Sequence, residues 1–258
     1  MISLPPATTR SKPEKSRRSR PVQVAEAIKD WIVEARFKAG DRLPSEPELI
    51  ARFGMAKGTI REAMRILEAQ GLIKSRTGPG GGAFVHEVSR DRAKALLGNY
   101  FYFQDLTIDH IYRLRRLLEP ECAASLAGKL PDAALAELEA NLATYDRPSR
   151  SLEEERDQHV ASLRFHAILA ENSDNPILSF IIDFMVKLLS DVTVYRKLYE
   201  PRNEALWERG RDHQLRLLAA LRAGESETAR TIMADHMDAA WSMMRAQEIE
   251  VLSRFIEE

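Results

Sequence analysis

The chain has 258 residues, of which 44% are hydrophobic and 30% charged, as expected for a globular protein with a sizeable core. A single cysteine, Cys122, excludes an internal disulfide and a cysteine metal cluster. The sequence has neither a membrane-length apolar run nor a signal-peptide core. We therefore expect a cytoplasmic protein without membrane contact. Residues 1–90 carry 17 Lys and Arg against 10 Asp and Glu, a net charge of +7, whereas the remainder carries 21 against 29, a net charge of −8, so a polyanionic partner is expected for the N-terminal part alone.

Residues 1–20 are rich in Pro, Ser, Arg and Lys and show no apolar periodicity. This composition predicts a disordered basic tail, because it offers too little apolar surface to offset the entropy of ordering the chain. The tail either adds contacts to phosphates or is a solvated leader, and the sequence leaves both interpretations open.

Three helices are predicted after the tail. Apolar residues at helical spacing place the first over residues 21–39. Ser45 and Glu48 form a capping box that begins a second, short helix over residues 46–53. The third extends over about residues 57–71, so the second and third helices with their tight turn predict a helix-turn-helix.

The third helix carries a stripe of like charge. Lys57, Arg61 and Arg65 are each four residues apart and therefore stack on one face. Like charges at this spacing destabilise a helix, although Glu62 softens the repulsion by pairing with Arg65. A solvated helix face usually mixes signs, so this stripe favours a polyanionic ligand.

A β-hairpin is predicted directly after the third helix. The segment LIKSRT (72–77) has the composition of a strand, GPGGG that of a flexible loop, and AFVH (83–86) that of a returning strand. A hairpin at this place is the wing of a winged helix, and its glycine-rich tip permits close approach of the backbone to a partner.

The rest of the chain shows only helical patterns, separated by short breaks rich in Pro, Gly, Ser and Asn. The predicted segments are roughly 92–103, 107–128, 131–146, 152–171, 175–199, 203–222 and 226–256. The fold class is therefore mainly α, with a winged helix-turn-helix of three helices and a β-hairpin over residues 21–88. An all-α bundle of six or seven helices follows over residues 89–258, large enough for a central pocket.

Residues 39–85 resemble the winged-helix domain of the GntR family of bacterial transcription regulators. The resemblance rests on GDRLPSEPELIARFG, TIREAMRILEAQGLI and the glycine-rich wing ending in AFV. It implies that the third helix enters the DNA major groove, where Lys and Arg contact phosphates and short or forked side chains read bases. The DNA-contacting candidates are Ser45, Lys57, Gly58, Thr59, Arg61, Arg65, Thr77, Gly78 and Gly80.

Three positions depart from the family pattern. Pro47 stands where a basic residue is common, Ala56 where Ser or Thr caps the recognition helix, and Gly58 where a bulkier residue is frequent. Loss of such a cap costs about 1 kcal/mol. We therefore expect the start of the third helix to be weakly capped and to become firm only on DNA.

The helical remainder resembles the effector domain of the FadR subfamily, in the segments RRLLEPECAASLA (115–127), FHAILAENSDNPIL (165–178) and LLAALRAGESETARTIMADHM (217–237). Many members hold a divalent metal with one Asp and three His. In this chain His166 and His236 match two of these ligands, whereas Ser162 and Gln214 replace the other two. A family-type metal site is therefore not expected.

Chemistry alone leaves a different metal site open. His166 and His236 can bind a metal together with His213 or with His159, which lies seven residues before His166. His213 is one residue early and so points about 100° away from the ligand direction of the family. The alternative is that these histidines are hydrogen-bonded groups of the core.

Arg115 matches the pocket arginine of the subfamily's R-x-x-L-E pattern. Because a guanidinium fork suits a carboxylate, Arg115, His166 and His236 are the candidate residues for binding a small carboxylate- or acyl-bearing effector. The alternative is that Arg115 simply pairs with Glu119, one helical turn later.

These patterns favour a ligand-responsive, DNA-binding transcription regulator and not an enzyme. The resemblance implies a repressor of metabolic genes that binds a palindromic operator as a homodimer. A helical metal-dependent hydrolase using His159, His166 and His236 is the alternative, but the sequence contains no HExxH and no phosphate-cradling motif. An architectural DNA-binding protein is a third possibility, and an acidic helical bundle would serve no purpose there.

Overall fold

A computed structural model describes residues 19–104 and 106–257, with side chains described as far as residue 249. The chain divides into two compact units, with the boundary between Ala93 and Lys94. None of the described helices combines the length and apolar character that a membrane span requires.

The first unit contains three helices and a two-stranded antiparallel sheet within its described residues: α1 (Arg20–Glu34), α2 (Glu46–Phe53), α3 (Lys57–Gln70), β1 (Ile73–Arg76) and β2 (Gly82–Val85). The two strands pair with Ile73 opposite Val85 and Arg76 opposite Gly82. The apolar faces of the helices and sheet bury a small core of Val24, Ala25, Ile28, Leu43, Leu49, Ile60, Ala63, Leu67 and Ile73. This arrangement is the predicted winged helix-turn-helix.

The segment before α2 extends the wing sheet, which the sequence analysis did not anticipate. Arg42 forms an isolated β-bridge with Phe84, and the backbone N–H of Leu43 donates to the carbonyl of Ala83 at 2.8 Å. Strand β2 is therefore bonded on both sides, which anchors the wing to the helical part of the unit.

The first helix is shorter than predicted. It ends at Glu34 rather than near residue 39, because Arg36 takes a left-handed conformation with φ of 56°. This turn brings the Phe37 ring edge-on to Trp31, with ring centroids 5.1 Å apart. The contact packs Phe37 back against α1 instead of continuing the helix.

The wing turn depends on two glycines. A Cβ atom at Gly81 would lie 2.6 Å from the carbonyl oxygen of Arg76, and Gly82 has a φ of 145°. Neither position accepts an ordinary side chain without a shift of the backbone. The glycines of the tip are therefore required for the turn of the hairpin itself, independently of any contact with a partner.

Seven helices follow β2 in the described part of the chain: α4 (Arg90–Tyr102), α5 (Ile108–Leu126), α6 (Asp132–Ala143), α7 (Leu152–Glu171), α8 (Pro176–Tyr195), α9 (Glu204–Ala223) and α10 (Ser226–Glu257). The boundary between the two units falls within α4. These helices confirm the predicted mainly α fold class.

Helix α10 packs against α5 and α9, while α7 packs against α6 and α8. Side-chain oxygens of Thr107, Ser151, Asn175 and Asn203 cap the starts of α5, α7, α8 and α9, which explains why these helices begin where they do. Polar and charged residues also lie in the bundle interior, among them Arg115, Glu119, Gln158, His166, Gln214 and His236. Because buried polar groups need partners and are rare in a core, these residues are candidates for a functional site of the bundle.

Candidate DNA-binding surface and effector pocket

The charged stripe on α3 faces outward. The side chains of Lys57, Arg61 and Arg65 are 69%, 58% and 70% exposed, so all three are accessible to a partner. Glu46 at the start of α2 lies 3.4 Å from Lys57 Nζ and 3.9 Å from Arg61 Nε, and Glu62 lies 3.3 Å from Arg65. The predicted pairing of Glu62 is present, and Glu46, which no sequence pattern had indicated, reduces the repulsion between the other two cations.

The start of the recognition helix has no side-chain cap. Ala56 occupies the N-cap position in an extended conformation, and a Cβ atom at Gly58 would meet nothing within 4 Å. Thr59 is half-buried beside these positions. In contrast, Ser45 begins α2 within the predicted capping box, since its N–H donates to Glu48 Oε2 at 2.7 Å and its hydroxyl donates to the same oxygen. These hydrogen bonds lower the pKa of the Glu48 carboxyl.

A groove lies between α2, α3 and the wing of the first unit. Arg61 and Arg65 line it together with Arg42 and Arg76, two further cations that the sequence analysis did not select. Arg42 Nη2 donates to the carbonyl of Gly81 at 2.6 Å, while the Arg76 guanidinium lies 4.6 Å from the ring centre of Phe84. The three remaining wing candidates, Thr77, Gly78 and Gly80, are exposed at the hairpin tip.

The second unit contains a cavity between α5, α7, α9 and α10. The space open to the centre of a water-sized sphere is about 60 Å³. This exceeds the roughly 10–15 Å³ that a single water requires, so the cavity has room for a small molecule. Its polar lining residues are Tyr112, Arg115, Tyr145, Glu155, Gln158, His159, Ser162, His166, Arg211 and His236. All three candidate effector residues therefore border one cavity.

A chain of buried charge runs along one side of this cavity. Arg115 Nε pairs with Glu119 Oε1, and His166 Nδ1 lies 2.5 Å from Glu119 Oε2. Burial alone would raise the pKa of the Glu119 carboxyl, but the charge of Arg115 and the hydrogen bonds from Arg115 and His166 lower it to about 2. The ion pair between Arg115 and Glu119, which was the alternative interpretation from the sequence, is thus present. It engages the Nε atom of the guanidinium. Arg115 Nη2 is buried and has no hydrogen-bond partner within the described part of the chain.

Two histidines meet at the centre of the bundle. The rings of His166 and His236 are stacked, and their Nε2 atoms lie 3.2 Å apart. Because Glu119 is a carboxylate, we assign the proton of His166 to Nδ1, which leaves His166 Nε2 to accept from His236 Nε2–H. Burial lowers the pKa of both imidazoles, and for His236 the neighbouring cationic groups lower it further.

The two residues that replace the expected metal ligands bond to each other. Gln214 Nε2 donates to the carbonyl oxygen and the hydroxyl of Ser162, at 3.1 and 3.3 Å, and lies 3.5 Å from His166 Nε2. Tyr145 OH donates either to Gln214 Oε1 at 3.1 Å or to Asn141 Oδ1 at 3.0 Å. The Gln214 amide therefore places an N–H group near His166 Nε2, where a metal ligand would need a lone pair.

The residues present do not fit a four-ligand metal site. Among the described residues, no group of three or more His, Cys, Asp or Glu is arranged to hold a metal ion. His213, the predicted third candidate, has its ring 5.4 Å from that of His236, but its Nδ1 lies 2.7 Å from the carbonyl of Arg209. Of the suggested metal set, His166 and His236 form a hydrogen-bonded pair, while the Nδ1 atom of His213 faces the backbone of its own helix.

Two lining residues lacked a clear signal in the sequence. Gln158 and Arg211 lie on α7 and α9, and neither belongs to a motif. His159, considered in the sequence only as a metal ligand, also borders the cavity. Desolvation and the charge of Arg115 lower the pKa of its imidazole to about 4. The cavity brings together four helices from distant parts of the chain, so local patterns do not reveal its lining.

Comparison with known proteins decides the family. Residues 110–239 match the FCD domain family, and residues 21–85 match the bacterial regulatory proteins of the gntR family. The chain belongs to the GntR family and carries an FCD domain. It is therefore a DNA-binding transcription regulator and not an enzyme, and nothing supports the hydrolase alternative.

Named relatives agree with this assignment. The chain is 27% identical over 237 residues to the HTH-type transcriptional repressor NanR of Edwardsiella tarda, covering 87% of this chain and 86% of that protein. It is 25% identical over 227 residues to the Uxu operon regulator of Haemophilus influenzae, covering 84% and 78% of the two chains. The solved structure of Streptococcus agalactiae GntR shares the fold, with a TM-score of 0.62 and 23% identity over 86% of this chain and 99% of that one.

Proposed function

We propose that the regulator represses its target genes in the cytoplasm and binds a palindromic operator as a homodimer. In this proposal residues 21–88 contact DNA, and residues 89–258 bind the effector and dimerise. Repression is supported by the similarity to the transcriptional repressor NanR, and dimerisation by the small size of one winged helix, which makes few base contacts alone. Light scattering of the purified protein tests the oligomeric state, and a mass of one chain would contradict the homodimer.

The exposed stripe of Lys57, Arg61 and Arg65 supplies the phosphate and base contacts of the recognition helix. Ser45, Gly58 and Thr59 would contact DNA beside the stripe, and Thr77, Gly78 and Gly80 would do so at the wing tip. Selection from a random duplex pool identifies the operator, and a sequence without dyad symmetry would contradict a palindromic site. We expect Arg61→Ala to abolish specific operator binding without unfolding the protein. Arg113→Ala, which removes an exposed cation from α5, is the matched control.

The effector is a small carboxylate bound in the bundle cavity by Arg115, with His166 and His236 beside it. The observation that carries this proposal is Arg115 Nη2, a buried cationic donor that lacks a partner in the described structure although its Nε is paired with Glu119. Such a donor stabilises an anion through a charge-assisted hydrogen bond. The cavity size restricts the anion to a few non-hydrogen atoms.

A panel of matched ligands tests the anion. Each carboxylate is compared with its neutral amide, such as propionate with propionamide, by thermal shift and calorimetry on the wild-type protein with and without EDTA. We expect carboxylates to bind and amides to bind at least tenfold more weakly, because only the anion pairs with the Arg115 charge. Equal binding of acid and amide would refute the carboxylate assignment, and binding that EDTA abolishes would refute a metal-independent pocket.

A further inference from the structure

Three residues that line the effector cavity each carry a buried polar atom for which the described structure offers no hydrogen-bond partner. These atoms are Arg115 Nη2, Arg211 Nε and Gln158 Oε1. The first two are donors on cationic groups, whereas the third is an acceptor. An anion alone satisfies the arginines but leaves the Gln158 oxygen without a donor.

The orientation of the Gln158 amide is fixed by its other end. Gln158 Nε2 donates to the backbone carbonyl of Arg147 at 3.0 Å. A carbonyl oxygen only accepts, so turning the amide over would place two acceptors against each other. The amide oxygen therefore remains directed away from Arg147, and the residue as a whole is only 7% exposed.

We infer that the effector carries a hydrogen-bond donor, a hydroxyl or an ammonium group, beside its carboxylate, and that Gln158 selects for this donor. The inference rests on the proposed carboxylate site at Arg115. Both residues border the same space of about 60 Å³, so a compact molecule reaches both. A ligand that lacks the donor leaves the buried amide oxygen unpaired, which is a strong basis for discrimination.

Three acids with one carbon skeleton test the inference. Propionate, lactate and alanine carry a hydrogen, a hydroxyl and an ammonium group at the same carbon. Calorimetric titration of the full-length wild-type protein is expected to give a dissociation constant at least tenfold lower for lactate or alanine than for propionate. The comparison between lactate and alanine identifies which donor the pocket accepts.

Two variants assign any preference to Gln158. Gln158→Met keeps the side-chain length and removes the amide, so the ratio of dissociation constants is expected to fall to about one. Thr193→Val is the matched control, since Thr193 Oγ1 is also buried and unpartnered but lies outside the cavity lining. The control is expected to keep the wild-type ratio. If Gln158→Met does not fold, the wild-type comparison of the three acids decides alone.

Separate outcomes identify which proposal fails. Equal binding of all three acids overturns the donor inference and leaves the carboxylate proposal intact. A preference that persists in Gln158→Met overturns the role of Gln158. Binding of none of the acids, while neutral hydroxyl compounds such as propanol bind, overturns the carboxylate proposal, and failure of all these probes overturns both.

Discussion

Neutralising Glu119 is expected to destabilise the helical bundle strongly. Arg115 and Glu119 are 1% and 2% exposed, so their charges are removed from water and depend on each other. Glu119→Gln keeps the shape of the side chain but leaves the Arg115 charge buried without a counterion. Removing one partner of such a pair costs about 3–5 kcal/mol. We expect a loss of this size in the free energy of unfolding.

Fluorescence during urea unfolding measures this loss. Trp207 and Trp241 lie in the second unit, and Trp31→Phe removes the tryptophan of the first unit, so the signal reports the bundle. All variants are compared at one protein concentration, because oligomers unfold in a concentration-dependent way.

An exposed pair on α8 provides the control. Lys187 and Asp191 have the same four-residue spacing and an ion-pair distance of 2.8 Å, but their side chains are 50% and 60% exposed. Asp191→Asn is expected to cost no more than about 0.5 kcal/mol. The contrast between the two variants isolates the effect of burial from that of spacing and charge.

A double-variant cycle tests the reasoning directly. Arg115→Met combined with Glu119→Gln removes both charges, so its cost is expected to fall below the sum of the single costs by about 2 kcal/mol. A loss below about 1 kcal/mol in Glu119→Gln would refute the dependence of Arg115 on its counterion, since buried charge removal costs several times more. Additive single costs would refute the coupling.

Three further predictions concern salt, capping and pH. Arg61→Ala should lower the slope of log affinity against log salt on a mixed-sequence duplex by about 0.9, because one phosphate contact is lost, whereas Arg113→Ala should not change it. Ala56→Ser should stabilise the first unit by about 1 kcal/mol, measured through Trp31 fluorescence, since it supplies the missing cap, and no change would show that the cap has no role. The pKa of His159 is lowered to about 4, so the unfolded chain binds a proton below about pH 6.5 that the folded chain does not. His159 should therefore contribute about 2 kcal/mol to the fall in unfolding free energy between pH 7.5 and 5. His159→Gln should remove this contribution and the exposed control His86→Gln should retain it, so an equal loss in both variants would contradict the assignment.

Local periodicity explains why most of the fold was predictable. The charged stripe, the capping box at Ser45 and the glycine-rich wing are each encoded within a few consecutive residues. The early end of α1 was not predictable in this way, because it depends on the left-handed turn at Arg36 and on the packing of Phe37 against Trp31. The bridge of Arg42 to the wing likewise depends on residues that lie some forty positions apart, a contact that no local pattern reports.

The effector pocket was predictable from the sequence only at Arg115, His166 and His236. Arg115 was identified by its similarity to a known family pattern, and its partner Glu119 lies one turn away on the same helix. Gln158 and Arg211 were missed because an isolated Gln or Arg on an amphipathic helix resembles any solvated residue. Their role follows from burial without a partner, which only the packing of α7 and α9 against α5 and α10 reveals.

The three unpartnered atoms of the cavity link stability to ligand response. Each buried polar atom without a hydrogen bond costs about 1–3 kcal/mol, so the ligand-free bundle gives up stability at Arg115, Arg211 and Gln158. A ligand that satisfies all three binds the folded bundle and not the unfolded chain, and at a hundredfold excess over its dissociation constant it adds about 2.7 kcal/mol of stability. An apolar pocket of the same size would hold a ligand without this dependence on polar groups. The proposed anionic effector therefore depends on the same buried charges that make the bundle sensitive to the loss of Glu119.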